Sequence, residues 1–153
     1  MQLTKFSDFA LRVLMYTHAA GDRLVTIEEM ARSYRVSRAH LMKVVNALTR
    51  AGYLKAVRGR SGGLRLAKPA EEIRLGDVVT TTEPDFALVE CFATGNQRVI
   101  SGRCRLPAVM KEALDDFIAA LNRYTLASIA LRPEDFRKPA EAERQPSADI
   151  SVA

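Results

Sequence analysis

VTIEEMARSYRVSRAHLMKVVNALTRAGYLKAVRGRSGGLRLAK, residues 25–68, spells two short amphipathic helices followed by a glycine-rich basic hairpin. Thr26 and Glu29 form the S/T-x-x-E pattern, in which a hydroxyl and a carboxylate each satisfy an amide orphaned at a helix start. Ile27, Met30, Ala31 and Tyr34 then fall at i, i+3, i+4 and i+7, so one face of the first of these helices is expected in the core. Arg35 and Val36 make a tight turn, and Ser37 caps the next helix. There Leu41, Val44, Val45 and Leu48 repeat the inward spacing and leave Ser37, Arg38, His40 and Lys43 on the outer face. A helix with a packed inner stripe and a short cationic outer one fits the major groove of DNA.

Ala51-Gly52 ends that helix, and Tyr53–Val57 and Leu64–Leu66 read as two short strands. The loop between them, Arg58-Gly59-Arg60-Ser61-Gly62-Gly63, carries two guanidinium groups. Glycines let a backbone approach phosphates, and arginines of such a loop can enter the minor groove. Helix, turn, helix and basic hairpin, in this order, predict a winged helix-turn-helix. The candidate DNA contacts are Thr26, Ser37, Arg38, His40, Lys43, Arg58, Arg60, Ser61 and Gly62. A hairpin whose arginines are merely solvated is the competing reading, but three separate signals fall in the right order.

The charge follows the same division. Residues 1–68 hold thirteen Lys or Arg against four Asp or Glu, a net of +9, whereas the remainder nets −4 within a total of +5. Cations gathered on one half are what counterion release from a nucleic acid requires. At 153 residues with 48% hydrophobic content, the chain can bury one core, with or without an appendage. No run of eighteen apolar residues and no signal sequence occurs, so a cytoplasmic protein with no membrane partner is expected. Two cysteines in that compartment do not point to a structural disulfide. No phosphate-binding loop, zinc-protease pair or nucleophile elbow is present, so an enzyme is not expected.

Outward from the reading head, Thr4–Ala20 is predicted as a helix with Phe6, Phe9, Ala10, Val13, Leu14 and Thr17 inward and Gly21 closing it. Asp8 lies in its first turn, where the helix dipole favours a carboxylate, and His18 suits its last turn. After Pro69, residues 73–79 read as a short helix, and periodicity fades over 85–105, which holds both cysteines, Cys91 and Cys104. Pro107 opens a long helix expected to reach about Leu131, with Met110, Leu114, Phe117, Leu121 and Tyr124 forming a heptad-like seam for a homodimer. Such a dimer gives two recognition helices a fixed spacing on a palindromic double-stranded DNA operator. The fold expected is mainly α with a small β-hairpin. Residues 1–82 form the winged helix-turn-helix, 83–105 a cysteine-bearing sensor loop, 106–131 a dimerisation helix and 132–153 a disordered tail.

LTKFSDFALRVLMY, RGRSGGLRLAKP, IRLGDVV, EPDFALVECF, CRL and YTLASI, in this order and spacing, resemble the iron–sulfur winged-helix transcriptional regulators of bacteria, and among them the nitric-oxide-sensitive repressors. The resemblance covers residues 1–131 and implies dimers on A·T-rich palindromes that repress genes of nitrogen-oxide metabolism. It also implies a cluster held by three loop cysteines and an acidic residue from the first helix of the partner subunit. Carried across, Cys91 and Cys104 match the first and last cysteines and Asp8 the acidic ligand, whereas the middle position is Arg98. A guanidinium cannot replace a thiolate at iron, so a 2Fe–2S cluster suits this chain better than a 4Fe–4S one. Three readings fit: such a cluster on Cys91, Cys104 and non-thiolate ligands such as Asp8; a cluster-free thiol switch; or a constitutive DNA binder with a relic loop. Outside this class, the same winged helix could serve a redox-responsive protein-interaction module or a cluster carrier.

Overall fold

The structure, a computed structural model, describes residues 2–84, 86 and 105–136. Its elements are α1 (Lys5–Ala19), α2 (Ile27–Tyr34), α3 (Arg38–Arg50), β1 (Leu54–Val57), β2 (Gly63–Leu66), α4 (Leu75–Thr82) and α5 (Leu106–Leu121). Short 3-10 turns lie at Ala70–Glu72, Ala127–Ile129 and Pro133–Phe136. The expected mainly α fold with one hairpin is what forms.

Each helix of the N-terminal half begins on a side-chain cap. The hydroxyls of Thr4, Thr26 and Ser37 accept from the amides of Ser7, Glu29 and His40, and the Thr26–Glu29 capping box is complete. The turn from α2 to α3 runs through Arg35, whose φ of 52° lies in the left-handed region that usually calls for glycine. β1 and β2 pair antiparallel, Leu54 opposite Leu66 and Val57 opposite Gly63. Val25 extends this ribbon: its amide donates to the Leu64 carbonyl at 3.0 Å and its carbonyl accepts from the Leu64 amide at 2.7 Å. A Cβ at position 63 would stand 2.8 Å from the Val25 carbonyl oxygen, so glycine is required for that approach.

The inward stripes meet in one core that includes Leu14, Met30, Leu41, Leu48, Ile73, Val78 and Leu126, all fully buried. α1 packs against α3 and α4, and the buried hydroxyls of Ser7 and Thr82 lie 2.8 Å apart across the α1–α4 contact. Around the α1–α2 edge, Glu29 accepts from Arg23 at 2.7 Å, from the Tyr16 hydroxyl at 3.0 Å and from the Thr26 amide at 3.3 Å. Partial burial works against the charged form, yet these hydrogen bonds together hold the Glu29 carboxyl below its ordinary value of 4.5. Folding therefore draws stability from the ionised group, fully present above that value and lost as pH falls through the lower folded one. Glu29→Gln should cost on the order of 1 kcal/mol at neutral pH. It should also flatten the acid limb of a urea midpoint-versus-pH curve below about pH 4.5; an unchanged limb would show that Glu29 carries none of it.

Three expectations are corrected in the C-terminal half. The helix opened by Pro107 ends at Leu121, not near Leu131, because the chain turns back: Arg74 bridges to Thr125 and Leu126 enters the core. Tyr124 thereby leaves the seam and is 52% exposed. Residues 132–136, expected to be disordered, form a turn in which Asp135 accepts from the Arg132 amide at 2.8 Å and Phe136 sets its ring 4.9 Å from Tyr16. Residues 137–153 of the expected tail lie outside the described residues, as do Asp85 and 87–104 of the expected sensor loop.

Candidate nucleic-acid interface and sensor site

The inner stripe of α3, Leu41, Val44, Val45 and Leu48, is buried, which fixes the rotation of the helix. Arg38 and Lys43 are consequently exposed, and Ser37 presents the first turn. Arg38 Nε lies 3.7 Å from Glu28 Oε2, with both side chains more than three-fifths exposed, so a phosphate can displace this weak pair. Thr26 sits at the start of α2 beside it, its side-chain oxygen accepting from the Glu29 amide. Arg58, Arg60 and Ser61 project from the exposed end of the hairpin. A shallow cleft lined by Thr26, Arg38, Val57 and Leu64 joins the helical and hairpin halves of this surface.

Two of the expected DNA contacts are placed otherwise. His40 turns its ring against Phe9, with centroids 5.3 Å apart, and buries Nε2 without a hydrogen-bond partner among the described residues. The reason is local: the first turn of α3 abuts α1, and position 40 precedes the buried Leu41 closely enough to be drawn under. The Gly62 amide donates to the Gly59 carbonyl at 3.0 Å inside the hairpin turn, so Gly62 shapes the loop instead of offering its N–H outward.

Of the expected cluster ligands, Cys91 and Cys104 lie outside the described residues, as does Arg98. Asp8 is described, and its carboxylate meets Arg12 one helical turn on, Oδ2 to Nε at 3.0 Å, with both side chains about half exposed. Among the described residues no group of three His, Cys, Asp or Glu side chains is placed to hold a metal. Two participants escaped sequence reading. Arg12 is an i+4 partner that the spacing from Asp8 could have given. Glu83, whose carboxylate accepts from the Thr4 amide at 2.8 Å and the Thr4 hydroxyl at 3.1 Å, could not have been found, because 79 positions separate the pair. This contact fastens the approach to the cysteine segment onto the first turn of α1.

Residues 3–132 match the Rrf2 family, described as iron-dependent transcriptional regulators. The chain belongs to the Rrf2 family. It is 44% identical over 140 residues to the HTH-type transcriptional regulator NsrR of Bacillus subtilis strain 168, covering 90% of this chain and 96% of that one. Among solved structures, it resembles CymR, the global cysteine regulator of B. subtilis, with a TM-score of 0.66 at 20% identity, covering 85% of this chain and 96% of that one. IscR of T. potens gives 0.65 at 19%, covering 84% and 85%. These two share the fold. As an Rrf2 protein, the chain is a DNA-binding transcriptional regulator and not an enzyme. Among the described residues, no helix of this Rrf2 chain is long and apolar enough to cross a membrane.

Proposed function

We propose that this chain works in the cytoplasm as a homodimer that represses transcription from a palindromic operator and releases it in response to nitric oxide or a redox signal. The observation that carries the reading is the exposed cationic surface made by Arg38 and Lys43 on α3 and Arg58 and Arg60 on the hairpin, each element held by a buried apolar side. Neutralising phosphates on both sides of one groove is the task that arrangement suits. Dimerisation is supported by α5, none of whose residues is fully buried: Met110, Leu114, Phe117 and Leu121 remain partly open, and Val109 is 57% exposed. An amphipathic helix left this uncovered is completed by a symmetry mate.

Cys91, Cys104, the half-exposed Asp8 of a partner subunit and a further non-thiolate donor would hold a 2Fe–2S cluster, for which carboxylate or imidazole can replace thiolate, whereas Arg98 leaves the three-thiolate set of a 4Fe–4S cluster incomplete. Such a group, when bound, supplies iron that reacts with nitric oxide. The protein's own part is to hold the Asp8 carboxylate: Arg12 retains it on α1 in the absence of another partner, and exchange of that partner alters a helix packed directly on α3. Arg98 at the middle-cysteine position favours a second reading, in which the two thiols themselves are the sensor.

Protein purified without oxygen should show an iron–sulfur visible spectrum with about two irons per chain. Its mobility shift on a duplex selected from a randomised pool should weaken at least tenfold after nitric oxide, since about 1.4 kcal/mol per complex suffices. Unchanged affinity after complete nitrosylation removes the nitric-oxide reading. Iron-free protein whose affinity instead follows the oxidation state of Cys91 and Cys104 establishes the thiol switch.

A further inference from the structure

α5 meets the body of the protein chiefly along α4, and the polar part of that contact is concentrated at one side chain. α4 begins at Leu75 with no cap from its own sequence: the Arg74 side chain makes no capping hydrogen bond. The missing cap comes from 45 residues further along. Asn122, at the C-terminal end of α5, accepts through Oδ1 from the Asp77 amide at 3.0 Å and donates through Nδ2 to Asp77 Oδ1 at 2.9 Å. The exchange has the reciprocity of a capping box, but it joins two helices instead of closing one. Arg74 Nη1 donates to the Asn122 carbonyl at 2.7 Å, and the Leu75 amide donates to the Tyr124 carbonyl at 3.1 Å, so the last turn of α5 and the first turn of α4 satisfy each other's orphaned groups. Gly76 permits the approach: a Cβ there would stand 2.5 Å from Asn122 Oδ1 and 2.6 Å from the Ile118 carbonyl oxygen.

We propose that the Asn122–Asp77 lock on Gly76 is a specificity-determining joint, fixing the angle between α5 and the DNA-reading half and hence the half-site spacing that the dimer accepts. This deepens the dimeric reading above and rests on it. The leverage is geometric. α5, of 16 residues, is roughly 24 Å long, so about 10° of play at its base displaces its far end by about 4 Å. One base-pair step is about 3.4 Å, so a loose joint would let the two recognition helices settle on neighbouring registers. A joint made of directional hydrogen bonds at a glycine contact resists such rotation better than apolar packing alone, which slides.

The test uses the full chain and a symmetric duplex selected by it from a randomised pool, with versions carrying one base pair more or fewer at the centre and a version with a single half-site. The wild-type chain should lose at least tenfold in affinity for each altered spacing. Asn122→Ala should lose less than threefold across the same series while binding the single half-site within twofold of wild type. Gly76→Ala, which wedges the joint from the other side, should relax the spacing likewise. Asn122→Asp alone sets two carboxylates together and should also relax it, whereas Asn122→Asp with Asp77→Asn restores the exchange with its polarity reversed and should recover the tenfold discrimination. Retention of wild-type discrimination by both Asn122→Ala and Gly76→Ala would overturn the joint's role and leave the DNA-binding reading intact. So would a parallel loss on the single half-site, which is the mark of general unfolding. Failure of the wild-type chain to bind any duplex would overturn the DNA-binding reading itself, and the joint's role with it.

Discussion

Alanine at Lys43, Arg58 and Arg60 together lowers duplex affinity on the order of a hundredfold at about 0.1 M salt and flattens the dependence of log affinity on log salt by about 0.9 for each phosphate no longer neutralised. All three side chains are exposed and belong to the two elements that flank the cleft between α3 and the hairpin. None is buried or holds an element together, so thermal unfolding should stay within about 0.5 kcal/mol of the parent. Arg123→Ala removes an equally exposed cation beyond α5 and serves as the control for net charge. Equal slopes in the triple variant and the control, measured by fluorescence anisotropy from about 50 to about 300 mM salt, would relocate the DNA surface.

Leu41→Ala costs about 2–5 kcal/mol of stability, because a fully buried side chain is removed where α3 rests on α1 and α2. Set against a typical value of about 5–15 kcal/mol for a domain, this places the variant near its unfolding threshold. The expected result in urea is a lower midpoint with an unchanged slope. A loss below about 1 kcal/mol would mean that the inner stripe of α3 is not held as described. Because Leu41 neighbours His40, whose ring already rests on Phe9, the same variant should loosen the first turn of α3 before the rest of the helix.

Residues 25–68 were legible because their signals are local. The capping box at Thr26, the i, i+3, i+4, i+7 stripes and the glycine-bearing loop each act within a few residues, and their order alone specifies a winged helix-turn-helix. What escaped was set by partners distant in sequence. His40 has the polarity of a surface residue, but the proximity of Phe9 on α1 turns it inward. The run through Tyr124 continues a helical seam by spacing alone; only the bridge from Arg74 to Thr125 and the burial of Leu126 show why the helix stops ten residues early. Phe136 sits among charged and proline residues typical of a tail, and its aromatic partners, Tyr16 and Tyr34, belong to other helices. Arg35 adopts a left-handed turn without glycine, a conformation that the packing of α2 on α3 imposes. The cationic part of the candidate interface was therefore readable, and Arg12 lay within reach of its i, i+4 spacing from Asp8, whereas Glu83 and Asn122 required the three-dimensional arrangement.

The grip of Glu83 on Thr4 joins the Ser7–Thr82 hydroxyl contact and the α1–α4 packing in closing residues 4–83 into a ring. A tug arriving along the chain from Pro84 is therefore delivered at once to the opening turn of α1, four positions from Asp8, instead of being spent in slack backbone. Pro84, the next residue, thus leaves from a point fastened to the helix against which α3 packs.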